Sequence, residues 1–243
     1  MNNEILTSIV SGKRSGRKQF AVLIDPDKMP TQQTIEIAVD SGVDYFFVGG
    51  SLLTNGNLHS CIEFVKSITN IPVILFPGNL LQIDDSADAL LFLSLISGRN
   101  PEMLIGKHVI AAPLLKSSSL EVISTGYMLI ESGNQTAVSY MSNTTPIPHD
   151  KTDIAVCTAM AGEMLGLKMI YLDAGSGAKN AVSEKMIREV RANISIPLIV
   201  GGGLNSSESV EKACDAGADL IVIGTAFEKD ISLVRKIAKV FQN

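Results

Sequence analysis

The chain has 243 residues, 46% of them hydrophobic, and a formal net charge of −5 at pH 7. Length and apolar content suit one large α/β domain with a sizeable core, and the acidic balance, scarce aromatics and lack of Trp exclude a general nucleic-acid binder. No run reaches the ~20 apolar residues of a membrane span and no signal peptide is legible at the N-terminus, so a soluble cytoplasmic protein is expected.

Short apolar runs recur along the chain, at 20–24, 44–48, 72–76, 89–95, 126–130, 168–172, 197–200 and 219–223. Most are continuously apolar rather than alternating, as in strands of a parallel sheet buried on both faces. Helical patterns fill most of the gaps. Leu58, Ile62, Val65 and Ile68 make one apolar stripe, and Ile154, Cys157, Ala161 and Leu165 another, closed by Gly166. Ser183 is placed to cap a helix carrying Ile187 and Val190, and Ser206 or Ser207 one carrying Val210 and Ala213. Asp230 stands ahead of a last helix with Val234, Ile237, Ala238 and Phe241. Eight β runs with helical connections predict a (β/α)8 TIM barrel, a single domain over 1–243.

Only twelve residues separate Phe76 from Ala89, the bare minimum for a crossover helix with its loops. The third helix is therefore expected to be missing or reduced, leaving the barrel flank open between strands three and four. A helix is expected within 100–119, a hairpin extension over 134–142, and a loop over 143–151.

Active sites of such barrels lie at the C-terminal ends of the strands. Strand one ends in Asp25-Pro26-Asp27-Lys28. Two carboxylates and an ammonium there suit Mg²⁺ and a polyphosphate, and equally an Asp-Pro turn capping the next helix. Strand two ends in Gly49-Gly50-Ser51, where the Ser51 hydroxyl can reach the same ion. On strand six, Tyr171 and Asp173 lie two apart and share the interior face, a phenol and a carboxylate able to grip a polyol. Asp173 is followed by Ala174-Gly175-Ser176-Gly177-Ala178, where bare backbone offers N–H groups to a phosphate. Gly201-Gly202-Gly203 and Gly224-Thr225 follow strands seven and eight, where barrels of this class hold phosphate. The cysteines (Cys61, Cys157, Cys214) lack metal-ligand spacing and read as buried thiols in a reducing compartment. His59, His108 and His149 are scattered, with surface or packing roles, and no Ser-His-Asp or Cys-His constellation is legible.

Residues 171–178 with 201–203 and 224–225, joined by Leu23-Ile24-Asp25-Pro26-Asp27-Lys28 and Gly49-Gly50-Ser51, resemble the geranylgeranylglyceryl phosphate synthase family, which includes the bacterial PcrB-like heptaprenylglyceryl phosphate synthases. The match runs over nearly the whole chain. Ser97-Gly98-Arg99-Asn100-Pro101-Glu102 and Gly126-Tyr127-Met128-Leu129-Ile130 look like the branch found in many archaea and in Bacteroidetes. The resemblance implies a TIM barrel without its third helix and a prenyltransferase that alkylates the hydroxyl of sn-glycerol 1-phosphate with a polyprenyl diphosphate. It implies Mg²⁺ on Asp25 and Ser51. Tyr171, Leu172, Asp173, Ala174, Gly175, Ser176, Gly177, Gly202, Gly203, Gly224 and Thr225 would form the glycerol-phosphate pocket, with Asp173 and Tyr171 catalytic. Phe76, Leu80, Leu81 and Leu91 are candidates for an apolar trough holding the lipid tail. Homo-oligomers from dimer to hexamer and transient contact with a membrane surface are also implied. At position 173 the family usually carries Glu, so this chain presents the same charge one methylene shorter. Two other readings remain: a phosphosugar isomerase or aldolase barrel, which would need a catalytic Lys or paired acids at the mouth, and a non-catalytic barrel that binds phosphate or lipid headgroups.

Overall fold

The structure is a computed structural model that describes residues 4–224 and 231–241. Eight parallel strands close into a barrel in chain order: β1 (Gln19–Ile24), β2 (Tyr45–Val48), β3 (Val73–Leu75), β4 (Ala89–Leu95), β5 (Glu121–Leu129), β6 (Met169–Asp173), β7 (Leu198–Gly201) and β8 (Leu220–Ile223), with β8 pairing back onto β1. Each predicted run overlaps one of them, and β5 starts earlier than its predicted run, at Glu121. Side chains alternate between two cores, as the period-2 geometry of a strand requires. Tyr45, Phe47, Leu91, Tyr127 and Tyr171 point into the barrel, whereas Phe46, Val48, Leu90, Met128 and Leu172 pack outward against helices.

Those helices are α2 (Gln32–Asp40), α3 (Leu58–Ile68), α4 (Lys107–Ser117, led in by a π-helical turn over Glu102–Gly106), α5 (Ala137–Ser142), α6 (Thr152–Met164), α7 (Glu184–Asn193), α8 (Ser207–Asp215) and α9 (Ile231–Ala238). Ser183 caps α7 by accepting from Met186 N, and Ser206 caps α8 in a reciprocal capping box with Ser209. The expected cap at Asp230 lies outside the described residues. A further helix, α1 (Glu4–Ser15), closes the barrel floor: Ile5 and Ile9 join the interior core. The first N–H groups of α1 have no partner within the helix. Glu121, at the base of β5, supplies one from a distance, accepting from Ile5 N and Leu6 N at 2.8 Å each.

No helix separates β3 from β4, as the spacing predicted. Gln82, fully buried, holds the intervening loop in place. Its Oε1 accepts from Gly50 N and Gly78 N at 3.2 Å each, and its Nε2 donates to Gly50 O at 2.8 Å. Asp84 pairs with His59 on α3 at 3.1 Å and pins the far end of the loop.

Three expectations are corrected. The segment 134–142 holds the short helix α5 and not a hairpin, because Thr136 and Ser139 form a capping box that starts the helix at Ala137. The buried face of α6 is Ala155, Ala159 and Gly162, while Ile154, Cys157, Ala161 and Leu165 face outward. Small residues win that face because the helix sits close on the sheet: a Cβ at Gly162 would lie 2.8 Å from Ile96 Cδ1. For the same reason Cys157 is exposed, whereas Cys61 and Cys214 are buried as expected. No helix among the described residues is long and apolar enough to cross a membrane.

Candidate active site

Two cavities open at the C-terminal end of the barrel and share a wall. The larger, of about 330 Å³, is the more polar of the two and lies over the ends of β6, β7 and β8. The smaller, of about 120 Å³, is an apolar groove that runs over β3 and β4 to the flank covered by α4. Gly50, Ser51, Phe76, Tyr127 and Val138 line both.

In the polar cavity Asp173 is the central group. Its Oδ2 accepts a hydrogen bond from Tyr127 Oη at 2.6 Å and its Oδ1 accepts one from Gly175 N at 2.7 Å. Burial raises the pKa of this carboxyl, opposed by the two hydrogen bonds. The Tyr127 and Tyr171 hydroxyls are pushed well above their ordinary value by burial, reinforced by the neighbouring Asp173. Phe76, Tyr127 and Tyr171 form a triangle of rings with centroids 5.4–5.8 Å apart, which fixes both phenols through packing.

The glycine loops complete the cavity as expected. Gly175, Ser176, Gly177, Gly202, Gly203 and Gly224 line it. Gly202 has φ +78°, and a Cβ there would meet Asp173 Oδ1 and Gly175 N at 2.6 Å. Only glycine fits both the dihedral and the space, so the loop after β7 locks against the loop after β6. Thr225 lies outside the described residues. Leu172 and Ala174 are corrected: neither lines the cavity. Leu172 points outward from β6 into the helix-facing core, Ala174 is buried in that core too, and the Ala174 N–H is bonded to Gly201 O at 3.1 Å.

On the opposite wall stand Asp25 and Ser51. Asp25 pairs with Lys28 at 3.6 Å and accepts from Asp27 N at 3.1 Å. Asp27 is turned away to a different task. It accepts from the backbone N–H groups of Thr54, Asn55 and Gly56 and from the Thr54 hydroxyl, and these bonds hold its pKa at about 2. The two acids of this motif are therefore divided, Asp25 facing the cavity and Asp27 tying the loop after β2.

The apolar groove contains three of the four expected residues, Phe76, Leu80 and Leu91. Leu81 is corrected: it is 90% exposed and outside the lining. Met103, His108, Ala111 and Leu115 form much of the groove's outer wall, none of them found by sequence reasoning. Tyr127 and Gln82 were likewise missed as site residues. A signal for Tyr127 existed, since strand five must register beside strand six, and Tyr127 pairs directly with Tyr171.

The family model described as the PcrB family matches residues 13–241. The chain is 54% identical over 241 residues to a geranylgeranylglyceryl phosphate synthase of Chitinophaga pinensis, covering 98% of this chain and 96% of the relative. It is 41% identical to one of Korarchaeum cryptofilum, covering 89% and 90%. Among solved structures, the (S)-3-O-geranylgeranylglyceryl phosphate synthase of Thermoplasma acidophilum in complex with sn-glycerol-1-phosphate superposes with a TM-score of 0.90 at 32% identity, covering 98% of each chain. The chain belongs to the PcrB family.

Proposed function

We propose that the protein transfers a polyprenyl group from its diphosphate to the hydroxyl of sn-glycerol 1-phosphate, forming a prenylglyceryl phosphate, the precursor of an ether lipid. The observation that carries this reading is the shared wall: a polar cradle for a phosphorylated polyol and an apolar groove for a lipid tail meet at Ser51, Phe76 and Tyr127. A phosphosugar isomerase has no use for such a groove.

In the proposed step the allylic C–O bond breaks and its electron pair leaves with diphosphate. The glycerol oxygen bonds to the freed carbon, and Asp173 takes the hydroxyl proton. The carboxylate keeps acceptor capacity beyond its bonds to Tyr127 and Gly175, and its raised pKa makes it the better base. Tyr127 fixes the orientation of Asp173, while the glycine loops hold the phosphate and so place the hydroxyl for attack.

Asp25 and Ser51 are the residues that would hold Mg²⁺. No group of three or more His, Cys, Asp or Glu able to hold a metal is found among the described residues. This fits an ion that takes one or two protein ligands and completes its shell with phosphate oxygens and water. Asp25 Oδ1 lies 4.0 Å from where a Cβ on Gly50 would stand, and Asp25 and Ser51 line the same cavity. Bound there, Mg²⁺ would offset the charge of the departing diphosphate.

Self-association belongs to the same reading. Val109, Ile110 and Leu114 on α4, and Ile154, Met164 and Leu165 at α6, are exposed apolar side chains suited to covering by further copies of the chain. The test of function is a product assay with radiolabelled sn-glycerol 1-phosphate and prenyl diphosphates of increasing length, with and without a chelator. Prenylglyceryl phosphate formed only with metal present is expected. No product at any length would overturn the assignment.

A further inference from the structure

Gln82 is a polar side chain that the proposed reaction does not use, yet it is buried in a loop segment with neither helix nor strand around it. Its amide makes three hydrogen bonds. Oε1 accepts from Gly50 N and Gly78 N at 3.2 Å each, and Nε2 donates to Gly50 O at 2.8 Å. Two of the three grip a single residue, Gly50, by both its N–H and its C=O, as a neighbouring strand would. The tie falls just past the end of the β2–β3 pairing, where Phe76 N still donates to Val48 O at 2.9 Å. Beyond that point the two loops meet backbone to backbone. Gly49 has φ +146°, and a Cβ there would run into Phe76 O. A Cβ at Gly78 would run into Gly50 O and lie 2.8 Å from Ser51 Cα. The glycines allow the approach, and the Gln82 amide fixes where the loops meet.

What this amide holds is the wall common to the two cavities. Gly50 and Ser51 line both, and Asn79, Leu80 and Ile83, on either side of Gln82 in the chain, line the apolar groove. Gln82 itself lines neither. Gly50 has the Gln82 amide against its peptide groups and Asp25 Oδ1 on its Cα side, 4.0 Å from where a Cβ would stand. We propose that Gln82 is a positioning residue for the diphosphate of the donor: it touches no substrate, and it sets the Gly50–Ser51 backbone, and with it the Ser51 hydroxyl, opposite Asp25. The inference rests on the prenyltransferase reading, in which diphosphate departs from this wall. No helix lies between β3 and β4 to brace the turn, so a buried side chain braces it instead. Removing the amide leaves Gly50 N, Gly78 N and Gly50 O without their partner. The two loops must then shift to satisfy these groups, and Ser51 moves with them. A displacement of about 1 Å at such a group is enough to matter to binding and rate.

The experiment measures the Kd of inorganic diphosphate in the presence of Mg²⁺ by calorimetry, beside the KM of each substrate and the Tm. Gln82→Met keeps the length of the side chain and removes all three hydrogen bonds. It is expected to bind diphosphate about tenfold or more weakly, the order of one lost buried hydrogen bond. Its KM for the prenyl diphosphate should rise alike, with the KM for sn-glycerol 1-phosphate unchanged. Gln82→Glu keeps the length and the two accepted bonds, so its loss should be smaller, and it carries the same test if the methionine variant does not fold. His59→Ala releases the far end of the same loop at Asp84 and should leave diphosphate affinity unchanged whatever it does to Tm. Wild-type diphosphate affinity in a folded Gln82 variant would overturn the proposal. So would an equal rise in both KM values, an equal loss of affinity in His59→Ala, or a wild type that binds no diphosphate. Diphosphate binding that weakens in Gln82→Met, in a protein that makes no product from any prenyl diphosphate, would leave the positioning role standing and remove the prenyltransferase reading instead.

Discussion

The two halves of the barrel mouth are built from different materials. The half over β6, β7 and β8 is made mostly of backbone: glycines at positive φ and one carboxylate held by a phenol and a peptide N–H. The half over β3 and β4 is made of side chains, with Leu80, Leu91, Phe92, Met103 and Ala111 around a groove left open by the missing helix. Backbone amides fix an anion at set positions, whereas packed side chains give a volume that different tails can fill. The acceptor half should therefore tolerate almost no change, and the donor half should tolerate much and alter its selectivity instead.

The largest effect tests the acid. Asp173→Asn keeps the shape and removes the charge, and kcat should fall about 10²–10⁴-fold while the protein stays folded. Tyr127→Phe should lower kcat less, because it only releases one oxygen of the carboxylate. Comparable kcat in all three proteins would show that Asp173 positions substrate and takes no proton. The second effect tests the backbone. Gly202→Ala forces a Cβ onto Asp173 Oδ1 and Gly175 N at a φ of +78°. The local strain is about 1–3 kcal/mol. The expected result is a KM for sn-glycerol 1-phosphate raised by an order of magnitude or more, with the KM for the prenyl diphosphate little changed.

Much of the acceptor half was legible in the chain, and little of the donor half. A glycine loop after a strand has one dominant physical use, so residues 175–177, 202–203 and Gly224 were found from type and position. Leu172 and Ala174 were misplaced because a motif is contiguous in sequence while a strand sends alternate side chains to opposite cores. The groove wall depends on which face α4 presents. Met103, Ala111 and Leu115 read as ordinary helix residues until packing places them. The same limit misassigned α6, where burial went to Ala155, Ala159 and Gly162 through close approach and not to the bulkier stripe. The short 76–89 spacing succeeded because chain length is a hard constraint.

A third, smaller effect probes the donor half. Ala111 lines the groove and is nearly buried. Ala111→Phe should fill part of the groove, at a stability cost of about 1–3 kcal/mol from overpacking. Long prenyl diphosphates should lose kcat/KM more than short ones, with the KM for sn-glycerol 1-phosphate unchanged. Equal losses at every chain length would place the tail elsewhere and break the division of the mouth into two halves.

The smallest effect is a pH dependence that differs between the halves. His108, in the groove wall, is buried edge-on against Phe92 at 4.3 Å, with Nε2 3.4 Å from Ser94 Oγ and Nδ1 without a hydrogen-bond partner. Burial lowers its pKa below 6.5, with the Leu93 backbone pulling the other way. The folded state thus prefers neutral imidazole, while the unfolded chain takes up a proton near pH 6.5. Stability must fall as pH drops below 6.5 toward the lowered native pKa, by at most about 1.4 kcal/mol per pH unit. The shift at Asp173 has the opposite sense. Its raised pKa means the folded state binds that proton more tightly, so the acid limb of kcat should lie above the pKa of an ordinary Asp. Tm measured from pH 7 to pH 5 should decline more steeply in the wild type than in His108→Leu, and the KM for the prenyl diphosphate should rise toward low pH more steeply in the wild type as well. The KM for sn-glycerol 1-phosphate should follow the same pH course in both proteins. If it diverges instead, the two halves are coupled through their shared wall at Ser51, Phe76 and Tyr127, and His108 reports on the whole mouth.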